Sequence, residues 1–422
     1  MSEFEKIIGY DSTKEELKQI CDMIHNADSY KKLGAKMSKG LLVHGDPGLG
    51  KTLMARAFIK ESGRKFYIIR RNKHDGDFVN EIKSVFEEAA KNAPSIILLD
   101  DMDKFATEEK NEEEYVAVQA CIDEVSSSDV YIIATTNSLR NIPKSLLRAG
   151  RFDRKIKVYR PAIEDTEKII KHYMSSKSFI SDVNMDDIVK MLGGRSCAEL
   201  ETILNEAAIY AGFERKDKIS MEHIVRVILR DQYGVAEDYS TMDSSETEKT
   251  AYHEAGHIVM SEILDANAIG IASLKKGKYS RTGGFVIRCR GLGSSNHQVL
   301  MALAGKAAKE LRFGKVDEGA SEDLDKAIDT IKENIIEKGF YGMSVLDVSG
   351  YERKSEVSLA NEENIARVEL ERWFYKAKEI IVANQEFTTA IANALLEKQT
   401  LLNSDIKKIR GQCKIIVPEN MQ

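Results

Sequence analysis

The run Gly45-Asp46-Pro47-Gly48-Leu49-Gly50-Lys51-Thr52 follows the apolar segment Gly40-Leu41-Leu42-Val43-His44 and opens a helical stretch, Thr52 to Glu61. A glycine-rich loop between a strand and a helix is a phosphate cradle. Glycines at 45, 48 and 50 let backbone N–H groups turn inward around phosphate oxygens, and the helix N-terminus adds partial positive charge. Lys51 is placed for the β- and γ-phosphates of ATP and Thr52 for Mg²⁺. Such a loop demands a sheet behind it. Phe66–Ile69, Ser95–Leu99 and Val130–Ala134 read as further strands, and Phe78–Asn92 as an intervening helix. These runs are apolar on both faces, as strands of a buried parallel sheet must be. Their alternation with helices implies a doubly wound α/β domain.

The remaining parts of a nucleotide-hydrolysing site arrive in order. Leu98-Leu99-Asp100-Asp101 ends one strand with two carboxylates: Asp100 suits a Mg²⁺ shell and Asp101 a water-activating base. Ala134-Thr135-Thr136-Asn137 ends the next strand with an amide that can orient the attacking water. Leu147-Arg148-Ala149-Gly150-Arg151-Phe152-Asp153-Arg154 then supplies arginines.

A second reaction centre lies about two hundred residues later, at His253-Glu254-Ala255-Gly256-His257. Histidines four apart differ by only about 40° around a helix, so both imidazoles can bind one Zn²⁺. Glu254 between them can deprotonate water at that metal. With eight histidines in 422 residues, chance matches to this pattern number below roughly 0.03 per chain. A catalytic zinc needs a third protein ligand and an open position. Spacing does not choose among Glu310, Asp317, Glu318, Asp323 and Asp325.

The length allows two or three domains. A helical period dominates from Pro161 to Arg230, with breaks at Gly193-Gly194 and Gly212, and residues 233–247 are short and polar, like a linker. Beyond them the chain is mostly helical, with one β-like patch at Gly283-Gly284-Phe285-Val286-Ile287. The expected domains are therefore 1–160 for nucleotide, 161–232 as a helical lid, 233–247 as a linker and 248–422 around the metal. A net charge of −6 gives no reason to expect nucleic-acid binding. Five scattered cysteines without a CxxC pair suit a reducing compartment. No apolar run approaches the roughly 18–20 residues of a membrane span, and the N-terminus has no signal-peptide pattern. The expectation is a cytoplasmic protein, or the cytoplasmic part of a membrane-anchored one.

The nucleotide assembly resembles the AAA+ ATPase module. That resemblance implies that Arg148 and Arg151 are arginine fingers reaching a neighbouring subunit's γ-phosphate, hence a homo-oligomeric ring, usually a hexamer. Ile7-Ile8-Gly9 matches the module's adenine-contacting segment. Thr250-Ala251-Tyr252-His253-Glu254-Ala255-Gly256-His257, Phe313-Gly314 and Gly319-Ala320-Ser321-Glu322-Asp323 resemble the peptidase domain of the FtsH family, and similarity continues through Ala394-Leu395-Leu396-Glu397-Lys398. The family's third zinc ligand is the aspartate of that motif, which implies Asp323. The resemblance implies an ATP-dependent zinc endopeptidase with Glu254 as general base. An AAA+ α/β domain with a helical lid would feed polypeptide to a mainly helical zinc metallopeptidase domain. Gly283-Gly284-Phe285-Val286 is then either an edge strand pairing with extended substrate or a structural hairpin.

Four departures from the family pattern stand out. The family is normally anchored by N-terminal transmembrane helices, and this sequence holds no apolar run of that length ahead of the module, so the expectation is either a naturally soluble version or the soluble part of a longer chain. Asp101 stands where the family usually has Glu, so its carboxylate is drawn back by about one C–C bond, and base catalysis is sensitive to reach. The substrate-gripping pore loop is replaced by the polar stretch Arg70 to Val79, with Phe78-Val79 the only apolar pair and a natural helix start. The inter-subunit Asp-Gly-Phe segment is replaced around Asp123-Glu124-Val125. Two alternatives follow: a zinc peptidase of unfolded polypeptides whose nucleotide only assembles or gates the ring, and a non-proteolytic remodelling factor with structural zinc.

Overall fold

The computed structural model describes residues 2–71, 77–107, 112–148, 150–181, 183–232, 234, 244–275, 283–314, 321–340 and 356–418. The chain divides into two compact units, one of residues 1–177 and 194–205, the other of residues 178–193 and 206–422. The stretch 161–232 is thus shared between them, and the helix Cys197–Phe213 ends one residue past Gly212.

In the first unit five strands, β1 (Gly40–His44), β2 (Lys65–Ile69), β3 (Ser95–Leu99), β4 (Val130–Thr136) and β5 (Arg154–Lys157), form a sheet ordered β2-β3-β4-β1-β5. Every pairing is parallel. Its helices are α1 (Asp11–His25), α2 (Ala27–Lys32), α3 (Lys51–Ser62), α4 (Asp77–Lys91), α5 (Glu112–Glu124) and α6 (Ile163–Met174). Alternation sorts the side chains onto two faces. Leu42, Ile97, Leu99, Ile132 and Ala134 pack into one core with Phe78, Ile82 and Phe86 of α4 and Val118 and Ile122 of α5. Tyr131, one residue out of phase, turns the other way and stacks on Phe58 of α3 at 5.9 Å.

The central strands β3 and β4 are buried throughout. β2, in contrast, is an edge strand with Phe66 and Ile68 exposed, so its apolar pattern does not reflect burial on both faces. β5, with the charged sequence Arg-Lys-Ile-Lys, buries only Ile156; an outer strand needs few apolar residues, which is why its pattern does not announce it. In register, His44 lies beside Thr136 and Leu99 beside Ala134. The phosphate loop, Asp100-Asp101 and Asn137 therefore leave the sheet at one edge, where open α/β sheets place their ligands.

In the second unit α7 (Met185–Leu192), the end of α8 (Cys197–Phe213) and α9 (Met221–Val227) precede a helical body. That body comprises α10 (Ser244–Leu264), α11 (Ser295–Phe313), α12 (Ser321–Ile336), α13 (Glu356–Ala383), α14 (Gln385–Lys398) and α15 (Asn403–Arg410). One core joins Ile258 and Val259 of α10, Leu303 and Ala307 of α11, Trp373 and Ile380 of α13, and Ile391 and Leu395 of α14. Beside it lies an antiparallel sheet, β7-β6-β8, of β6 (Ile269–Ser273), β7 (Phe285–Arg288) and β8 (Thr400–Leu402). Only β7 is apparent in the sequence. β6 contains Gly270 and Ala272 and β8 is three residues long, so neither shows a strand period.

Trp373 is the chain's one tryptophan and lies in this core, so its fluorescence reports on the second unit. Leu395→Ala, at a fully buried position, is expected to cost about 2–5 kcal/mol, read as a lower urea midpoint of Trp373 fluorescence.

Candidate active sites

The phosphate loop is held open by its own geometry. Gly50 caps α3 at φ 84°, in the left-handed region, and a side chain there would project into open space; any other residue would be strained at this turn. Leu49 is buried beneath the loop, whereas Asp46 and Pro47 are exposed. The Lys51 ammonium is buried and bonds to the Asp46 carbonyl at 2.8 Å and the Asn137 Oδ1 at 2.9 Å. Burial lowers its pKa, opposed by Asp101 and Asp103. Thr52 Oγ1 donates to Asp100 Oδ1 at 2.8 Å, as does Thr135 Oγ1. The hydroxyl and carboxylate that a Mg²⁺ shell needs are therefore adjacent, and the donor set fits the ion.

Ile7 and Ile8 line a cleft of about 300 Å³ beside the loop, with Leu49, Gly50, Tyr173 and Ala198. Gly9 follows at φ 72°, against the side chain of Asp165. An apolar cleft opening onto a phosphate cradle fits a nucleotide.

Two sequence candidates are engaged elsewhere. Asp101 Oδ2 accepts from Lys104 at 2.7 Å and faces Arg70 at 3.8 Å. Arg151 binds both oxygens of Asp123, at 2.8 and 2.6 Å, and donates to the Ser145 carbonyl at 2.7 Å. Asp123 is therefore the partner of Arg151 within the chain, a role its sequence neighbourhood does not disclose. Arg148 is exposed. Of the polar stretch 70–79, residues 72–76 lie outside the described ones. Phe78 belongs to α4, is buried, and packs edge-on against Phe105 at 5.4 Å.

In the second unit His253 and His257 emerge from α10 and Asp323 from the first turn of α12. The Nε2 atoms of the two histidines are 3.1 Å apart, and Asp323 Oδ2 lies 3.1 Å from one and 3.2 Å from the other. Four-coordinate zinc with bonds of about 2.0–2.2 Å places its ligand atoms about 3.3–3.6 Å apart, so this triangle fits the ion within a few tenths of an ångström. His257 Nδ1 bonds to the Met301 carbonyl at 2.8 Å, which turns Nε2 toward the metal position. His253 Nδ1 is buried without a partner among the described residues. Burial pushes the His253 pKa down to about 4, keeping the ring neutral as a ligand must be. The two imidazoles hold the Asp323 carboxyl well below the usual carboxylate range against its own desolvation. Among the described residues this is the single group with metal-binding geometry. Of the other carboxylates considered, Glu310 pairs with Lys378 at 2.7 Å, Asp325 is not among the converging ligands, and Asp317 and Glu318 lie outside the described residues.

Glu254 is almost wholly buried, and burial raises its carboxyl to about 8. A divalent cation on the neighbouring ligands lowers it again. Its Oε1 lies 2.8 Å from where a Cβ on Gly284 would stand, so the carboxylate packs close to the backbone that leads into β7. The cleft around these groups measures about 630 Å³ and is lined by Val286, Met301 and Leu292 together with Glu322 and Lys326. Gly305 and Met301 on α11 escape any motif reading. A Cβ at Gly305 would sit 2.5 Å from His253 Cε1 and 2.6 Å from His257 Nε2. Their signal was available only as a small residue in an alanine-rich helix.

Residues 41–160 match the family model for ATPases associated with various cellular activities, and residues 293–409 match peptidase family M41. The chain is 30% identical over 446 residues to ATP-dependent zinc metalloprotease FtsH 3 of Symbiobacterium thermophilum, covering 97% of this chain and 71% of that protein. The chain belongs to the FtsH family. It is also 29% identical to FtsH 2 of Thermoanaerobacter sp., over 96% of this chain and 82% of the relative. With FtsH of Streptobacillus moniliformis it shares 30% identity over 96% of its length but spans only 64% of that relative. Zn²⁺ and ATP with Mg²⁺ are the cofactors of FtsH enzymes, and the donor sets described above suit them. No helix among the described residues is long and apolar enough to cross a membrane.

Gly305→Ala is expected to separate the two imidazoles and reduce zinc affinity on the order of 10- to 100-fold. Chelator competition on the purified chain, with zinc read by mass spectrometry, checks this; retained zinc affinity contradicts the packing argument.

Proposed function

We propose that this chain is an ATP-dependent zinc endopeptidase that works as a homo-oligomeric ring, a hexamer, on polypeptide substrates in the cytoplasm. The observation that carries the reading is the convergence of His253, His257 and Asp323 beside the buried carboxylate of Glu254, in an open cleft bordered by β7. The open cleft favours a catalytic over a structural metal site. Five unpaired thiols suit a reducing compartment. We assign residues 1–160 to nucleotide, 161–232 to the lid, 233–247 to the linker and 248–422 to the peptidase.

His253, His257 and Asp323 would hold zinc, which supplies a Lewis acid that polarises the scissile carbonyl and acidifies water. Glu254 takes the proton of the attacking water on its carboxylate and returns it to the leaving amine. Among the described residues β7 pairs with β6 on one side only, and an extended polypeptide adds to its other side by backbone hydrogen bonds. In the nucleotide site Gly45 to Gly50 cradle the phosphates, Lys51 neutralises them, and Thr52 and Asp100 would hold Mg²⁺. Asp101 and Asn137 face the attacking water. Arg148 and Arg151 act across a subunit boundary, and Arg151 must exchange the Asp123 carboxylate for phosphate to do so.

A second reading, in which nucleotide only assembles or gates the ring, is favoured by two observations. The short Asp101 is tied to Lys104, and Phe78 is committed to the core rather than to gripping substrate.

Glu254→Gln is expected to reduce casein cleavage by at least about 100-fold while ATP hydrolysis continues; Lys51→Ala should abolish hydrolysis. Cleavage surviving in Glu254→Gln contradicts the reading. Arg148→Ala and Arg151→Ala should lower ATP turnover in the assembled protein without weakening fluorescent-nucleotide binding, and equal loss of binding contradicts the finger assignment.

A further inference from the structure

The short turn after β3 contains a carboxylate that neither motif uses. Asp101 adopts φ 56°, a left-handed conformation that aspartate tolerates better than most residues. The chain reverses there into a single turn, Met102–Lys104. The reversal carries Asp103 back across the end of β4. Asp103 Oδ1 accepts from the backbone N–H of Asn137 at 3.4 Å, and Oδ2 accepts from the Asn137 side-chain Nδ2 at 3.3 Å. On its other side Asn137 Oδ1 accepts from Lys51 Nζ at 2.9 Å. Asn137 is thus gripped at both ends, carboxylate on nitrogen and ammonium on oxygen.

The two grips differ in permanence. An asparagine amide can present either its oxygen or its nitrogen after a half-turn about χ2, and only its partners decide which. Phosphates entering the loop draw the Lys51 ammonium toward themselves, which removes one of the two constraints. The bonds to Asp103 do not involve the nucleotide and persist. With Nδ2 still held, Oδ1 remains turned into the site as an acceptor for the proton of an attacking water. With the amide reversed, an N–H would meet that water instead, and the water's lone pair would point away from phosphorus. This matters more in a chain whose neighbouring carboxylate, Asp101, is short and engaged by Lys104.

We propose that Asp103 is a positioning residue for ATP hydrolysis, fixing the Asn137 amide so that its oxygen faces the attacking water once Lys51 has moved to the phosphates. The proposal rests on the reading of this site as an ATPase. Asp103 acts through Asn137 and does not itself take the proton.

Steady-state ATP hydrolysis by the full chain, with wild type, Asp103→Ala, Asp103→Asn, Asn137→Ala and the double variant Asp103→Ala/Asn137→Ala, tests it. Asp103→Ala should lower kcat on the order of 10- to 100-fold, the size of a small misplacement of reacting groups, while KM for ATP and the affinity for fluorescent ADP change less than about threefold. Asp103→Asn keeps one acceptor oxygen for the Asn137 Nδ2 but turns its own NH2 on the backbone N–H, and should fall between wild type and Asp103→Ala. In the Asn137→Ala background, Asp103→Ala should add little further loss. The proposal is overturned if Asp103→Ala keeps wild-type kcat. It is equally overturned if the two losses multiply in the double variant. Lost ADP binding in both Asp103 variants likewise counts against it, since a fold defect would then explain the loss. Failure of the underlying reading looks different: wild-type protein that does not hydrolyse ATP, or Lys51→Ala that hydrolyses it undiminished.

Discussion

The metal centre depends on how closely two helices approach. α10 carries both histidines, and α11 crosses it with Gly305 against the imidazoles and the Ala304 carbonyl against Gly256, where a Cβ would come within 2.4 Å. Small residues at the crossing allow the Met301 carbonyl to reach His257 Nδ1, so α11 both orients one ligand and leaves room for the other. Asp323 then closes the triangle from α12. Without that approach the HExxH pattern would be two histidines on a buried helix and nothing more. The same crossing fills the core around Trp373, so stability of this unit and metal binding rest on shared contacts.

In the nucleotide unit, the parallel register plays the equivalent part. By aligning the ends of β1, β3 and β4, the sheet delivers Lys51, Asp100, Asp103 and Asn137 to one edge, where side chains from distant parts of the sequence bond directly. Hydrogen bonds are satisfied locally, Lys51 by backbone and amide oxygens and Asp100 by two hydroxyls, while Asp101 pairs with Lys104 and Arg151 with Asp123. A phosphate held by Lys51 would compete with its bond to Asn137.

What the sequence disclosed follows from how local each signal is. The phosphate loop, β1, β3, β4 and the zinc helix were legible because glycine spacing, apolar runs and the i, i+4 histidines are local patterns with a physical cause. Asp323 was not separable from its acidic neighbours by spacing, since the choice depends on where α12 packs. Gly305, Met301, Asp103 and Asp123 were illegible for the same reason: each acts on a residue far away in sequence or across a turn of unusual backbone. β6 and β8 were missed because strands of three to five residues containing glycine or alanine carry no period, and β5 because an outer strand tolerates charge. β2 shows the converse, an apolar run that lies at a sheet edge.

In the proposed function nucleotide turnover drives cleavage at the metal centre rather than merely permitting it. The direct measurement is the rate of degradation of an unfolded and a stably folded substrate by the zinc-loaded chain, side by side, with ATP, ADP or a non-hydrolysable ATP analogue. Cleavage is expected with ATP, and background rates with ADP and the analogue. Cleavage of the unfolded substrate that proceeds equally well with the analogue would contradict it, and would leave nucleotide with assembly or gating as its only role.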